Sequence, residues 1–175
     1  MDKVILSGRT SNQGRILVVD DQLDIVTVLC DFFLNKGYKV MGYTSGKNAL
    51  ASLKTQKFDL LLADVTMPEM DGIELLKAAL RIDPLLAGII MTGHGTIETA
   101  IEAKNIGVFD YVLKPFKLNE LLLIVSRAIE ARRYEIQKNR HLIHFNLQHQ
   151  NYKCQNNCEN ISNDNRQGVY MRYSS

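Results

Sequence analysis

Arg15-Ile16-Leu17-Val18-Val19-Asp20-Asp21 is the stretch that decides the fold. Its apolar run has no polar position and reads as a strand buried on both faces. Such strands belong to parallel sheets that helices cover on two sides. Two later runs end in the same manner. Leu60-Leu61-Leu62-Ala63 leads into Asp64, and Phe109-Asp110-Tyr111-Val112-Leu113 leads into Lys114. In an open parallel sheet the carboxyl ends of the strands converge on one crevice, and ligands bind there. Three carboxylates and an ammonium gathered in that crevice suit a divalent cation and a phosphoryl group.

Outward from these strands, helix and strand alternate. Residues 22–36 carry Ile25, Val28, Leu29, Phe32 and Phe33 on one side and stop at Gly37, which predicts a helix. Residues 38–43 read as a strand, and Ser45 can cap a helix with Ala49, Leu50 and Leu53 inward. Residues 58–63 form the third strand, followed by a helix over about 72–81. A fourth strand spans 87–91, and a helix over 96–106 ends at Gly107. The fifth strand spans 109–113, and Leu118 opens the last helix. Strict alternation with right-handed crossovers predicts an α/β fold, a flavodoxin-like (βα)5 doubly wound five-stranded parallel sheet.

A chain of 175 residues with 46% apolar and 23% charged residues is ordinary globular composition. A net charge of +2 is too small to argue for nucleic acid or a membrane surface. No run approaches the ~18 apolar residues of a membrane span. Val4-Ile5-Leu6 is too brief for a signal-peptide core, so a cytoplasmic protein is expected. The expected organisation is a flexible N-terminal segment 1–14, one domain over 15–133, a helical extension 134–145 and a disordered Asn/Gln-rich tail 146–175. Leu122, Ile129, Ile136 and Ile143 recur every seven residues, as in one row of a coiled-coil seam. The companion row, Val125, Arg132, Asn139 and Asn146, is mostly polar, so only weak homodimerisation is expected through the last helix. Cys30 reads as a small core residue. Cys154 and Cys158, with His141, His144 and His149 upstream, lack a scaffold for zinc, and no metal is expected there.

A carboxylate that accepts a phosphoryl group must be ionised, and a divalent cation offsets its repulsion from the anionic donor. Asp64 is the expected nucleophile because it ends the central strand. Asp20 and Asp21 complete an oxygen cradle of the kind Mg²⁺ prefers. Lys114 supplies fixed positive charge, Pro115 turns the chain that aims it, and the Thr92 hydroxyl can bond another phosphoryl oxygen. Taken singly, each has a plainer reading: helix cap, turn residue, exposed lysine, strand end. Their placement at successive strand ends in one βα repeat favours the joint reading.

With these motifs in view, the chain resembles a receiver domain of bacterial two-component response regulators, over roughly residues 15–133. The resemblance rests on Val18-Val19-Asp20-Asp21, Asp64-Val65-Thr66-Met67-Pro68-Glu69-Met70-Asp71-Gly72, Met91-Thr92-Gly93-His94-Gly95 and Tyr111-Val112-Leu113-Lys114-Pro115-Phe116. It implies that a histidine kinase phosphorylates Asp64 in a Mg²⁺-dependent reaction. Asp20, Asp21, Asp64 and the backbone carbonyl of Thr66 would be the metal ligands. Thr92 and Tyr111 match the family's switch positions, and Thr66 and His94 lie where a hydrolytic water would approach. The stretches around His94 and Asp110 look closest to the subgroup of transcriptional activators that carry an ATPase domain. No Gly-x-x-x-x-Gly-Lys-Ser/Thr loop or helix-turn-helix follows residue 133, so no direct nucleic-acid binding is expected of this chain.

The resemblance implies a signalling module that assists its own phosphoryl transfer and hydrolysis, not an enzyme in the ordinary sense. Displacement of Thr92 would let Tyr111 turn inward and alter a partner-binding face. Ile97, Ala100 and Lys104 lie at helical spacing where a partner could dock, whereas Ile101 is expected to pack on the sheet. The alternatives are a phosphorylation-independent interaction module and a truncated transcriptional regulator without output. A phosphohydrolase of the Asp-x-Asp type is disfavoured by the adjacent Asp20-Asp21.

Overall fold

The computed structural model describes the backbone of residues 3–6, 13–93 and 97–167, and the side chains of residues 13–93 and 101–145. By internal contacts the chain divides into two units, Met1–Tyr134 and Glu135–Ser175. In chain order the elements are β1 (Lys3–Leu6), β2 (Arg15–Val19), α1 (Leu23–Asn35), β3 (Lys39–Tyr43), α2 (Gly46–Thr55) and β4 (Leu60–Asp64). They continue with α3 (Gly72–Ile82), β5 (Ala87–Thr92), α4 (Ile97–Ile106), β6 (Asp110–Leu113) and α5 (Leu118–Gln167). No helix among the described residues is long and apolar enough to cross a membrane.

The sheet runs β1-β3-β2-β4-β5-β6. From β2 onward all pairings are parallel, which gives the expected flavodoxin-like order 2-1-3-4-5. The sheet also holds a strand that the sequence reading did not foresee. Lys3–Leu6, inside the segment expected to be flexible, pairs antiparallel with β3, Val4 opposite Gly42 and Leu6 opposite Val40. An open β3 edge would leave backbone groups unpaired, and the apolar patch Val4-Ile5-Leu6 suits that edge.

Because the sheet is covered on both faces, alternate residues of one strand enter two different cores. Ile16 and Val18 join Val26, Leu29, Cys30 and Phe33 of α1 and Leu121, Val125 and Ile129 of α5. Leu17 and Val19 join Ala49 and Leu53 of α2 and Leu75, Leu76 and Ala79 of α3. Each fully buried aliphatic side chain contributes about 1.5–3 kcal/mol of hydrophobic stabilisation. The face of α1 differs from the expected one at two positions: Val26 is buried and Val28 is exposed, while Cys30 lies in the core as read. The reason is Gly42, whose missing side chain leaves room that Val26 Cγ1 and Cys30 Sγ occupy. Helix ends follow the glycines as read, with Gly37 at φ 89° and Gly107 at φ 93°.

The seven-residue row in α5 proves to be partly a record of the core. Leu122 and Ile129 pack against the first core, while Ile143 is exposed. Helix α5 continues through the segment expected to be disordered as far as Gln167. No glycine or proline interrupts residues 118–167, and Gly168 follows. The side chains of His149, Cys154 and Cys158 lie outside the described residues.

Candidate functional site

The expected site residues stand at the carboxyl ends of neighbouring strands. Asp20 follows β2, Asp64 closes β4, Thr92 closes β5 and Lys114 follows β6. Lys114 Nζ donates to Asp20 Oδ2 at 2.6 Å and to Asp64 Oδ1 at 2.6 Å. The other oxygens are held by backbone. Asp20 Oδ1 accepts from the Gln22 N–H at 3.0 Å, and Asp64 Oδ2 accepts from the Thr66 N–H at 2.7 Å. The first of these bonds ties Asp20 to the start of α1, whose N-cap residue Gln22 makes no side-chain cap of its own.

Local structure fixes these positions. The Lys114 N–H donates to the Thr92 carbonyl at 2.7 Å, which extends the β5–β6 pairing up to the lysine. The Lys114–Pro115 peptide is cis. On the other side of Asp64, any side chain at Gly72 would strike the Asp64 carbonyl oxygen, so α3 begins directly against the end of β4. Asp71 caps α3 by accepting from the Glu74 N–H at 2.7 Å, and Glu74 returns the bond to complete a capping box.

The electrostatics are unbalanced. Asp20 and Asp64 are buried around one ammonium. Burial pushes the Asp20 carboxyl above its usual range despite the Lys114 bond, and the Asp64 charge adds to the rise. For Lys114 burial pulls the pKa down, but the bonds and charges of Asp20 and Asp64 outweigh it and hold the amine above its usual range. A site with more carboxylates than cations, all offering oxygen, has the donor chemistry of a Mg²⁺ site.

Not every expected residue joins the cluster. Asp21 is exposed, and among the described residues no group of three His, Cys, Asp or Glu side chains is disposed to hold a metal ion. Lys114 itself occupies the position between Asp20 and Asp64. Thr92 is buried, and Tyr111 is half-buried against the core beneath α2 and α3. Ile101 is exposed instead of packed on the sheet. His94 lies outside the described residues. One feature escaped the sequence reading: a cavity of about 460 Å³ lined by Ile25, Val28 and Leu29 of α1 with Lys114, Pro115 and Phe116. Its only signal was Val28, which periodicity had turned inward.

Comparisons with known proteins identify the family. Residues 16–126 match the response regulator receiver domain. The regulatory protein AtoC of Escherichia coli (strain K12) is 40% identical over 119 residues, which is 68% of this chain and 26% of that protein. The DNA-binding transcriptional regulator NtrC of Proteus hauseri is 37% identical over 127 residues, 73% of this chain and 27% of that protein. The chain thus spans about a quarter of the length of these curated relatives. A CheY-like receiver domain protein from Methanospirillum hungatei JF-1 superposes with a TM-score of 0.67 at 30% identity, covering 69% of this chain and 97% of that one. NtrX from Brucella abortus in complex with ADP gives 0.68 at 30% identity, covering 72% of this chain and 29% of that one. With the fold and the sequence match in agreement, the chain belongs to the response regulator receiver domains, signalling modules of two-component systems.

Proposed function

We propose that Asp64 accepts a phosphoryl group from a histidine kinase and that the aspartyl phosphate switches a partner-binding face of the domain. The observation that carries this reading is Lys114 Nζ, 2.6 Å from both Asp20 Oδ2 and Asp64 Oδ1 at the end of the sheet. In the transfer, an Asp64 carboxylate oxygen bonds to phosphorus as the P–N bond of the phosphohistidine breaks. The bonding pair stays on the imidazole nitrogen. Receiver domains typically bind Mg²⁺. When bound, it supplies the positive charge that offsets repulsion between donor and carboxylate. Asp20, Asp21, Asp64 and the Thr66 carbonyl are the oxygens that would hold it.

The chain's own residues do the rest. Lys114 exchanges one carboxylate contact for a phosphoryl oxygen, Thr92 bonds another, and Tyr111 turns inward in response. The apolar cavity beside Lys114, with exposed Val28 on its wall, suits a docking helix that brings the phosphoryl donor to Asp64. Ile101, Phe109, Leu113 and Leu123 are exposed and suit a partner that reads the switched state. Since NtrC, among the relatives named above, is a DNA-binding transcriptional regulator, the output we infer is control of transcription by a cytoplasmic protein.

Intact-mass spectrometry after incubation with acetyl phosphate and Mg²⁺ tests the reading. A single phosphoryl increment is expected, absent in Asp64→Asn and absent without Mg²⁺. The same increment on Asp64→Asn would remove the nucleophile assignment. No increment on the folded protein would leave an interaction module.

A further inference from the structure

The pole of the sheet opposite the crevice carries a second ionic cluster, which phosphoryl transfer does not use. Arg132 of α5 is half-buried as a residue, its side chain 8% exposed, and its guanidinium faces two acids. Nη2 donates to Asp83 Oδ2 at 2.8 Å, and Nε lies 3.5 Å from Asp59 Oδ1. Each acid is also committed to backbone: Asp59 Oδ2 accepts from the Arg15 N–H at 2.8 Å, and Asp83 Oδ1 from the Leu85 N–H at 3.1 Å. The guanidinium therefore joins α5 to the turn between α3 and β5 by one hydrogen bond and to Asp59, before β4, by a longer ion pair, and Asp59 in turn holds the entry of β2; Nε and Nη1 make no hydrogen bond among the described residues. One turn earlier, Ile129 packs over Gly14, where an added Cβ would lie 3.0 Å from Ile129 Cδ1. The receiver unit closes at Tyr134, just beyond this contact.

Helix α4 buries Ala103 and packs Ile106 against the second core, but no enclosed ion pair among the described residues holds it. The pair that joins it to α3, Lys77 with Glu102 at 2.8 Å, is exposed on both sides at 43% and 51%. Exposed pairs hold little, and salt screens them, whereas an enclosed pair is screened much less. Helix α5 thus has a firm attachment at Arg132, while its first residues follow the loop that starts at Lys114.

We propose that Arg132 is a fixed anchor for the carboxyl-terminal turns of α5 within the receiver. A switch initiated at Lys114 then leaves residues 126–134 in place. The second half of this proposal rests on phosphorylation of Asp64; the anchor itself does not.

Backbone hydrogen exchange on the full chain, with and without acetyl phosphate and Mg²⁺, tests both halves when intact mass is read in parallel. In the wild type, exchange over 97–113 changes with the phosphoryl increment and exchange over 126–134 does not. In unmodified Arg132→Met, exchange over 126–134 rises at least ~10-fold, because local opening no longer breaks the clamp. The rise is confined there and spares β2 and β4, and the variant still takes up the phosphoryl group. Arg132→Lys falls between, because a compact ammonium cannot span both acids as a planar fork does. It also serves as the second variant should Arg132→Met fail to fold. Unchanged protection in both variants, or a rise spread evenly over the whole sheet, overturns the anchor. Lost protection over 126–134 in phosphorylated wild type overturns the partition of motion. A missing phosphoryl increment removes the phosphoacceptor reading and the second half with it, and the unmodified variants still judge the anchor.

Discussion

At the carboxyl pole of the sheet one cation, Lys114, faces two carboxylates, Asp20 and Asp64; at the amino pole one cation, Arg132, faces Asp59 and Asp83. The counts are equal and the environments are opposite. In the crevice the anions are the dry partners, with side chains 0% and 8% exposed against 18% for the lysine. At the other pole the cation is dry at 8%, and Asp59 and Asp83 reach water at 29% and 17%. Burial therefore wins at Asp20 and pushes its carboxyl up. At Asp83 burial also pushes upward, but the Arg132 bond and charge outweigh it and hold the carboxyl below the usual range. Buried anions short of positive charge suit a site that takes up a cation and transfers phosphoryl groups. Satisfied anions around an enclosed arginine suit a fixture.

This contrast can be broken by stability measurements. Lys114→Met leaves two dry carboxylates facing each other, and urea unfolding is expected to show a loss of about 3 kcal/mol. Arg132→Met strands two carboxylates that water still reaches, so the loss is smaller, about 2 kcal/mol on the same scale. Equal losses would mean that exposure of the anions does not separate the poles. Asp20→Asn reverses the sign. It removes a buried charge and leaves Lys114 paired with Asp64, and it is expected to add about 1 kcal/mol while impairing phosphorylation. A loss of stability there would sink the view that the crevice is electrostatically costly.

The smallest effect concerns pH. The folded pKa of Asp83 lies below its ordinary 3.8, so the unfolded chain binds more protons in that window. Its contribution is complete above pH 3.8 and fades as pH falls through the folded value. Asp83→Asn should lower stability by about 1 kcal/mol at neutral pH and flatten the acid limb of the unfolding curve. A variant whose acid limb matched the wild type would place the charge of Asp83 outside the clamp.

Much of the fold was legible because its signals are local. Apolar runs ended at Asp20, Asp64 and Lys114, helices stopped at Gly37 and Gly107, and alternation left few topologies. The strand at Lys3–Leu6 was less visible. A four-residue edge strand carries almost no periodicity, and its identity depends on the partner edge of β3. The face of α1 was partly misplaced by the same limitation, since Gly42, on a different element, leaves the room into which Val26 turns beside Cys30.

The sequence by itself determined the alternating fold and which charged residues end its strands, and on those ends the proposal for Asp64 rests. These rest on residue type and short-range spacing, which a chain displays without folding. Only the tertiary structure decided that Asp20 and not Asp21 enters the charge cluster. In a strand buried on both faces, alternation alone does not say which face meets the crevice. Only the tertiary structure, likewise, gave Arg132 its acids, which lie 49 residues away at Asp83 and further still at Asp59. Read along the helix, Arg132 is one member of a mostly polar row. Packed against the sheet, it is the enclosed charge that two separate loops converge to neutralise.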